Sequence, residues 1–270
     1  MNIILTILCL LTMLQCRNAT PPPTEQAMVV EADSVTKPND TVAVKTEEKE
    51  KFTTDYIMGH FDPAKHPSFE KVDIKYADRE GLYLRKDTYK AFREMYNHAL
   101  QDGIRLQIRS ATRNFNYQKG IWESKWTGEK LIEGGENLAQ TTPDHKERAL
   151  KILRYSSMPG SSRHHWGTDI DLNSFDNSWF AAGEGLNIYN WLKAHAAEHG
   201  FCQPYTAGRP HGYFEERWHW SYMPVSKELT ELARKSLKNE MIKGFLGSET
   251  AVVIDIVKKY VLGIDAQCTH

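Results

Sequence analysis

Apolar residues recur at Tyr89, Phe92, Tyr96 and Leu100, the spacing that lines one face of a helix, and Asp102-Gly103 supplies a stop. A helix is therefore expected from about Asp87 to Leu100, with those four side chains turned inward. The next stretch, I-R-L-Q-I-R-S (104–110), alternates apolar and polar positions and reads as a strand. Just beyond Arg113, a short helix should carry Tyr117, Gln118 and Trp122. Thr142 as a cap with Pro143 in the first turn starts another, running to about Arg154. Alternation in T-D-I-D-L predicts a strand with Asp169 and Asp171 on one face and Ile170 and Leu172 on the other. A helix from about Leu186 to His199 follows, burying Ile188, Trp191, Leu192 and His195. The segment G-Y-F-E-E-R-W-H-W-S-Y (212–222) fits a further strand or tight hairpin, and two helices near 226–243 and 248–262 close the chain. Helices on one side of a small, mostly antiparallel sheet make an α+β domain.

The two ends of the chain read differently from this middle. Residues 2–16 form an uncharged apolar run too short to span a bilayer comfortably. The run resembles the hydrophobic part of an export signal, although the amino terminus is the only positive charge before it. Cys16 ends it and resembles the lipid-modified cysteine of a bacterial lipoprotein, but the preceding M-L-Q lacks the usual small residues. The alternative is ordinary cleavage there and release as a soluble protein. Residues 17–50 are polar, rich in Thr, Glu and Pro and without periodicity, so they are expected to act as a flexible tether. The folded domain is expected over 51–224, with 225–270 as a helical extension packed on it. That is chain enough to bury a substantial core.

Composition adds little beyond this. The formal net charge of -1 gives no electrostatic reason to expect a nucleic-acid partner. Of the four cysteines, Cys9 and Cys16 belong to the leader. In an exported protein the remaining pair, Cys202 and Cys268, could bridge and fasten the C-terminal tail. Neither has a second cysteine at metal-binding spacing.

Two segments carry the chemistry. S-R-H-H-W-G-T-D-I-D supplies His164 and Asp171, and E-R-W-H-W supplies Glu216 and His219. Two imidazoles and a carboxylate suffice to hold a catalytic zinc with one position left for water. Glu216, three residues before the last ligand, is placed to take a proton from that water. His-x6-Asp is weak evidence on its own, but turn residues Pro159, Gly160 and Gly167 surround it and a second segment completes the set. Strict strand alternation would put Glu216 and His219 on opposite faces, so a bend or bulge is required to bring them together. Asp169 is the rival ligand to Asp171, and Glu215 the rival to Glu216. His60, His66 and His211 stay outside the metal set.

Three blocks, S-A-T-R-N-F-N-Y-Q (110–118), P-G-S-S-R-H-H-W-G-T-D-I-D (159–171) and E-R-W-H-W-S-Y (216–222), together resemble the bacterial D-alanyl-D-alanine carboxypeptidases of the peptidase M15 family. That group includes the vancomycin-resistance dipeptidases and shares its metal-site fold with the hedgehog signalling domain. The family pattern S-x-H-x-x-G-x-x-x-D falls on Ser162, His164, Gly167 and Asp171; E-x-x-H falls on Glu216 and His219; S-x-x-R with its later glutamine falls on Ser110, Arg113 and Gln118. His165 and Trp166 depart from the smaller or more polar residues common at those places.

The resemblance implies one zinc per chain held by His164, Asp171 and His219, with Glu216 as general base and acid. Asp171 is favoured over Asp169 because only it keeps the family spacing. Arg113 would stabilise the developing oxyanion or grip the substrate's terminal carboxylate. Ser162 would bond near the ligand loop or help hold the substrate terminus, and Gln118 would orient Arg113 or contact the peptide backbone. Trp218, Trp220 and Tyr222 would wall the groove, with a core position as the alternative for Trp220. The implied activity is removal of terminal D-alanine from peptidoglycan stem peptides in the periplasm or cell envelope. Its alternatives are LD-carboxypeptidase or endopeptidase action, or a non-catalytic wall-binding module. The expected partners are stem peptides or muropeptides, with no nucleic acid and no membrane contact beyond a lipid anchor, and a monomeric state.

Overall fold

The computed structural model describes residues 52–269; the apolar leader, Cys16 and the tether expected over 17–50 lie outside them. Helix α1 (Thr54–Ile57) is followed by the hairpin-like pair β1 (Phe69–Lys71) and β2 (Tyr83–Arg85). Then come α2 (Lys86–Gln101), β3 (Ile108–Ser110), α3 (Phe115–Trp126), α4 (Leu138–Thr141) and α5 (His145–Ile152). The second half holds β4 (Asp169–Leu172), α6 (Gly183–His195), β5 (Phe201–Cys202), β6 (His219–Tyr222), α7 (Met223–Ser236) and α8 (Thr250–Ile254). The fold is α+β. Its main sheet has strand order β3-β4-β6-β5, with every neighbouring pair antiparallel.

Side-chain alternation sorts the two faces of this sheet. In the β4–β6 ladder, Asp169 pairs with Ser221, Ile170 with Trp220 and Asp171 with His219. Ile170, Leu172 and Trp220 therefore point one way, into a core with Phe92 and Met95 of α2 and Ile188 and Leu192 of α6. Asp169, Asp171, His219 and Ser221 point the other way and form a buried polar layer. Arg163 crosses that layer and donates to Thr230 of α7 at 3.0 Å. Helices thus flank both faces, not one.

Beyond the polar layer lies a second core, where Trp122, Trp126, Ile152 and Trp166 pack with Leu229, Phe245, Ile254 and Tyr260. The residues after 225 are accordingly part of that core. Cys202 and Cys268 are disulfide-bonded across 66 residues, tying the tail to the edge strand β5. Closing a loop of that length restricts the unfolded chain, so Cys268→Ser should cost about 2–5 kcal/mol of stability. Urea unfolding of oxidised parent and variant measures it. Two free thiols on alkylation of the nonreduced parent would reject the bridge.

Several element boundaries differ from the sequence reading. Asp144, not Thr142, caps α5 by accepting from the Glu147 N–H, while Thr142 ends α4. Leu100 lies in the last turn of α2 and is 51% exposed. The buried face runs instead through Tyr89, Phe92, Met95, Tyr96 and Ala99. His195, expected inside, is half-buried at the end of α6. The strand expected over 104–110 is paired only from Ile108, where the four-residue β4 can reach it. The two closing helices are shorter than predicted, and Val257–Val261 forms a separate helical turn.

Candidate active site

The turn Arg163–Trp166 leads into β4 through Gly167, which has φ +76°. A Cβ at Gly167 would lie 2.4 Å from the Phe69 ring, so only glycine allows this turn to fold against the β1–β2 pair. The turn brings His164 back over β4. Its Nδ1–H donates to the Ala111 carbonyl at 2.9 Å, which leaves Nε2 facing Asp171 Oδ2 at 3.2 Å. His219, opposite Asp171 in the ladder, presents Nδ1 at 3.1 Å from Asp171 Oδ1. One ligand atom from each of His164, Asp171 and His219 lies within 4.8 Å of the others, and all three residues are buried.

Glu216 reaches the same point because it is not in the strand. β6 begins at His219, and Glu216 closes the preceding turn by accepting the His219 N–H at 3.3 Å. Both side chains therefore share a face, with Glu216 Oε2 3.3 Å from His219 Nδ1. The required bend is a turn ahead of the strand. Glu215 points elsewhere and pairs with Arg217 at 3.2 Å.

Asp169 is not free to act as a ligand. Its Oδ1 accepts from Arg163 Nε at 3.2 Å and His219 Nε2 at 2.9 Å, and its Oδ2 accepts from Thr168 Oγ1 and Ser221 Oγ. It therefore fixes the His219 ring with the proton on Nε2, turning Nδ1 toward Asp171 and Glu216. Arg163 is fully buried and stacks over Trp166 at 4.3 Å. Alternation already put Asp169 on the site face; its partner Arg163 carries no signal in the sequence.

The charges are mutually dependent. Burial alone would raise the carboxyl of Asp171, but His164 and His219 outweigh it and hold it well below the usual carboxylate range. Asp169 is likewise held low, by Arg163 and His219 against the effect of burial. Burial would lower His219, but its bonds to Asp169, Asp171 and Glu216 carry it well above the ordinary imidazole value. Burial and Arg113 push His164 down. Burial raises Glu216, partly opposed by His219. The surrounding carboxylates thus favour a positive charge at the meeting point of the two imidazoles.

Arg113 stands at the rim, with one Nη 3.9 Å from Asp171 Oδ2 and Nε buried without a partner among the described residues. It is held from behind by His165, whose Nδ1–H donates to the Arg113 carbonyl and whose Nε2 accepts from the Gly160 N–H at 2.9 Å. Burial pushes His165 down to about 3, so this imidazole stays neutral and both bonds persist. Gln118 is buried beneath the rim and donates to the Ser157 carbonyl at 2.8 Å. Ser162 is buried at the start of the ligand turn with its hydroxyl unpartnered among the described residues.

A cleft of about 860 Å³ opens over these residues, lined by Arg113, Lys125, Tyr155, Asp171, Glu216 and Trp218. Trp218 forms part of its wall. Trp220 and Tyr222 do not: they fall on the opposite face of β6, where Trp220 is core and Tyr222 packs on Phe201 at 5.3 Å. Lys125, which the sequence reading missed, reaches the cleft from α3 and donates to Ser156 at 2.7 Å.

A model of the D-alanyl-D-alanine carboxypeptidase (VanY) family matches residues 81–225. YodJ of Bacillus subtilis (strain 168) is 24% identical over 175 residues, covering 62% of this chain and 56% of YodJ. This chain therefore spans little more than half the length of that curated relative. Among solved structures, VanYB in complex with D-alanine-D-alanine is 20% identical, covering 64% of this chain and 87% of that one at a TM-score of 0.46. The LdcB LD-carboxypeptidase is 16% identical, with 75% and 81% covered and a TM-score of 0.48.

Proposed function

The chain belongs to the D-alanyl-D-alanine carboxypeptidase (VanY) family, and on that premise we propose that it is a zinc-dependent carboxypeptidase removing terminal D-alanine from peptidoglycan stem peptides. One observation carries the reading. His164, Asp171 and His219 converge on one point beside Glu216, and Asp171 and Glu216 line the cleft. The donor set fits zinc: two imidazoles and a carboxylate, with His164 Nε2 and Asp171 Oδ1 buried and making no hydrogen bond among the described residues. Zinc held there would lower the pKa of a water and polarise the scissile carbonyl.

The chain's own groups supply the remaining steps. Glu216 Oε2 takes the proton from the attacking water and delivers it to the leaving amine. Its burial raises its proton affinity toward that task. Arg113 offers a fixed charge for the terminal carboxylate or the developing oxyanion. Trp218 and Tyr155 pack at 5.9 Å and give the peptide an aromatic wall. The apolar run before Cys16 supports action outside the cytoplasmic membrane, anchored there if Cys16 carries lipid.

Zinc-loaded protein incubated with defined pentapeptide and tetrapeptide muropeptides tests this. Mass analysis should find D-alanine released from the pentapeptide, with release lost on chelation and in His219→Ala. Release from the tetrapeptide alone would move the enzyme to LD specificity, and an internal cut would make it an endopeptidase. No cleavage of any muropeptide by zinc-loaded protein would sink the reading and leave a wall-binding module.

A further inference from the structure

A second histidine cluster lies outside the cleft and shares no residue with it. His98 sits on the last turn of α2, His195 ends α6, and Glu198 and His199 occupy the helical turn Ala196–His199 that follows. That turn is stopped by Gly200 at φ +79°, where the chain swings into β5. Imidazoles from the ends of two helices and from the turn after the second therefore lie together.

The geometry is compact. His195 Nδ1 lies 3.1 Å from Glu198 Oε1, and His98 Nδ1 lies 4.0 Å from Glu198 Oε2. One ligand atom each from His98, His195 and Glu198 falls within 4.8 Å of the others. Tetrahedral zinc with bonds of about 2.0–2.1 Å needs its donors about 3.4 Å apart. Side chains that are 35% and 56% exposed, as His195 and Glu198 are, can close that difference by small rotations. The surroundings resemble the outer sphere of a metal site. His98 Nε2 faces Asp102 Oδ2 at 3.7 Å, an outer-sphere carboxylate on the ring nitrogen away from Glu198, while His199 Nε2 borders the ligand side at 3.0 Å from His98 Nδ1. Trp191 packs against both His98 (5.3 Å) and His195 (5.0 Å), walling off one side, while its indole N–H is held by Asp102 at 2.8 Å.

We propose that His98, His195 and Glu198 bind a second divalent ion of the zinc class, which pins the end of α2 to the end of α6. Nitrogen-rich borderline donors select zinc or copper over magnesium or calcium. The site is structural: α2 and α6 both pack on the apolar face of the sheet, opposite the catalytic residues.

Zinc titration of the full chain, with stoichiometry read by elemental analysis after gel filtration, tests this independently of the cleft. The parent should hold about two zinc ions, and His164→Ala combined with His219→Ala should still hold about one. Adding His98→Gln and His195→Gln to that background should remove the remaining ion. The same two glutamine changes in the parent should leave muropeptide hydrolysis unaltered. Loss of all zinc in the cleft double variant, or retention after the glutamine changes, overturns the proposal. Should the multiple variant fail to fold, anomalous scattering at the zinc edge from parent crystals decides: a peak between His98, His195 and Glu198 supports the site, and its absence at saturating zinc rejects it.

Discussion

Glu216→Gln should lower turnover on a cleavable muropeptide by at least about 100-fold while zinc content stays at the parental level. Glutamine keeps the size of the side chain and can still contact His219, now 3.3 Å from Glu216 Oε2. It cannot accept the proton of the attacking water. The loss should fall on kcat more than on KM, because the carboxylate acts on water and the leaving amine, not on ground-state binding. No neighbour can substitute. Asp169 is saturated by four donors, and Glu215 is paired with Arg217. Near-parental turnover at full zinc occupancy would exclude Glu216 as the proton carrier.

Sequence periodicity was informative wherever one element met one core. Tyr89, Phe92 and Tyr96 locate α2 because all three pack into the same cluster, and T-D-I-D-L locates both faces of β4. The same alternation, carried through 219–222, puts Tyr222 beside Trp220 and away from the cleft. Reading Tyr222 as a wall residue gave aromatic content precedence over strand geometry, whereas Trp220 takes the core position that stood as its alternative. Glu216 and His219 posed the reverse problem. Alternation separated them, yet a turn bond between their backbones joins them, and no residue pattern marks where a strand begins. Pro143 suggested a helix start, but Asp144 one residue later caps better by accepting a backbone N–H. Lys125 and Arg163 were invisible for a different reason. Each is a charged residue buried by partners distant in the chain: Ser156 for Lys125, and Asp169, Ser221 and Thr230 for Arg163. Likewise the tail after 225 reads as an extension, whereas its apolar residues complete a core begun at Tyr56.

Asp169→Asn should separate the two duties of that carboxylate. The substitution leaves Arg163 charged and fully buried without the carboxylate that pairs with it at 3.2 Å. Breaking a buried pair from one side costs about 3–5 kcal/mol, so urea unfolding should show a loss of that order. It should also loosen His219, whose Nε2 is held by Asp169 at 2.9 Å. Removing such an orienting partner weakens metal binding about 10–100-fold, readable by competition with a chromogenic chelator. The two effects are separable. Pairing Asp169→Leu with Arg163→Met removes both charges and replaces them with apolar groups, so much of the stability should return. Zinc affinity should stay low, because nothing then sets the proton on His219 Nε2 and aims Nδ1 at Asp171. Recovery of both together would mean that Asp169 acts only through stability. Parental stability and zinc affinity in Asp169→Asn would remove it from the site altogether.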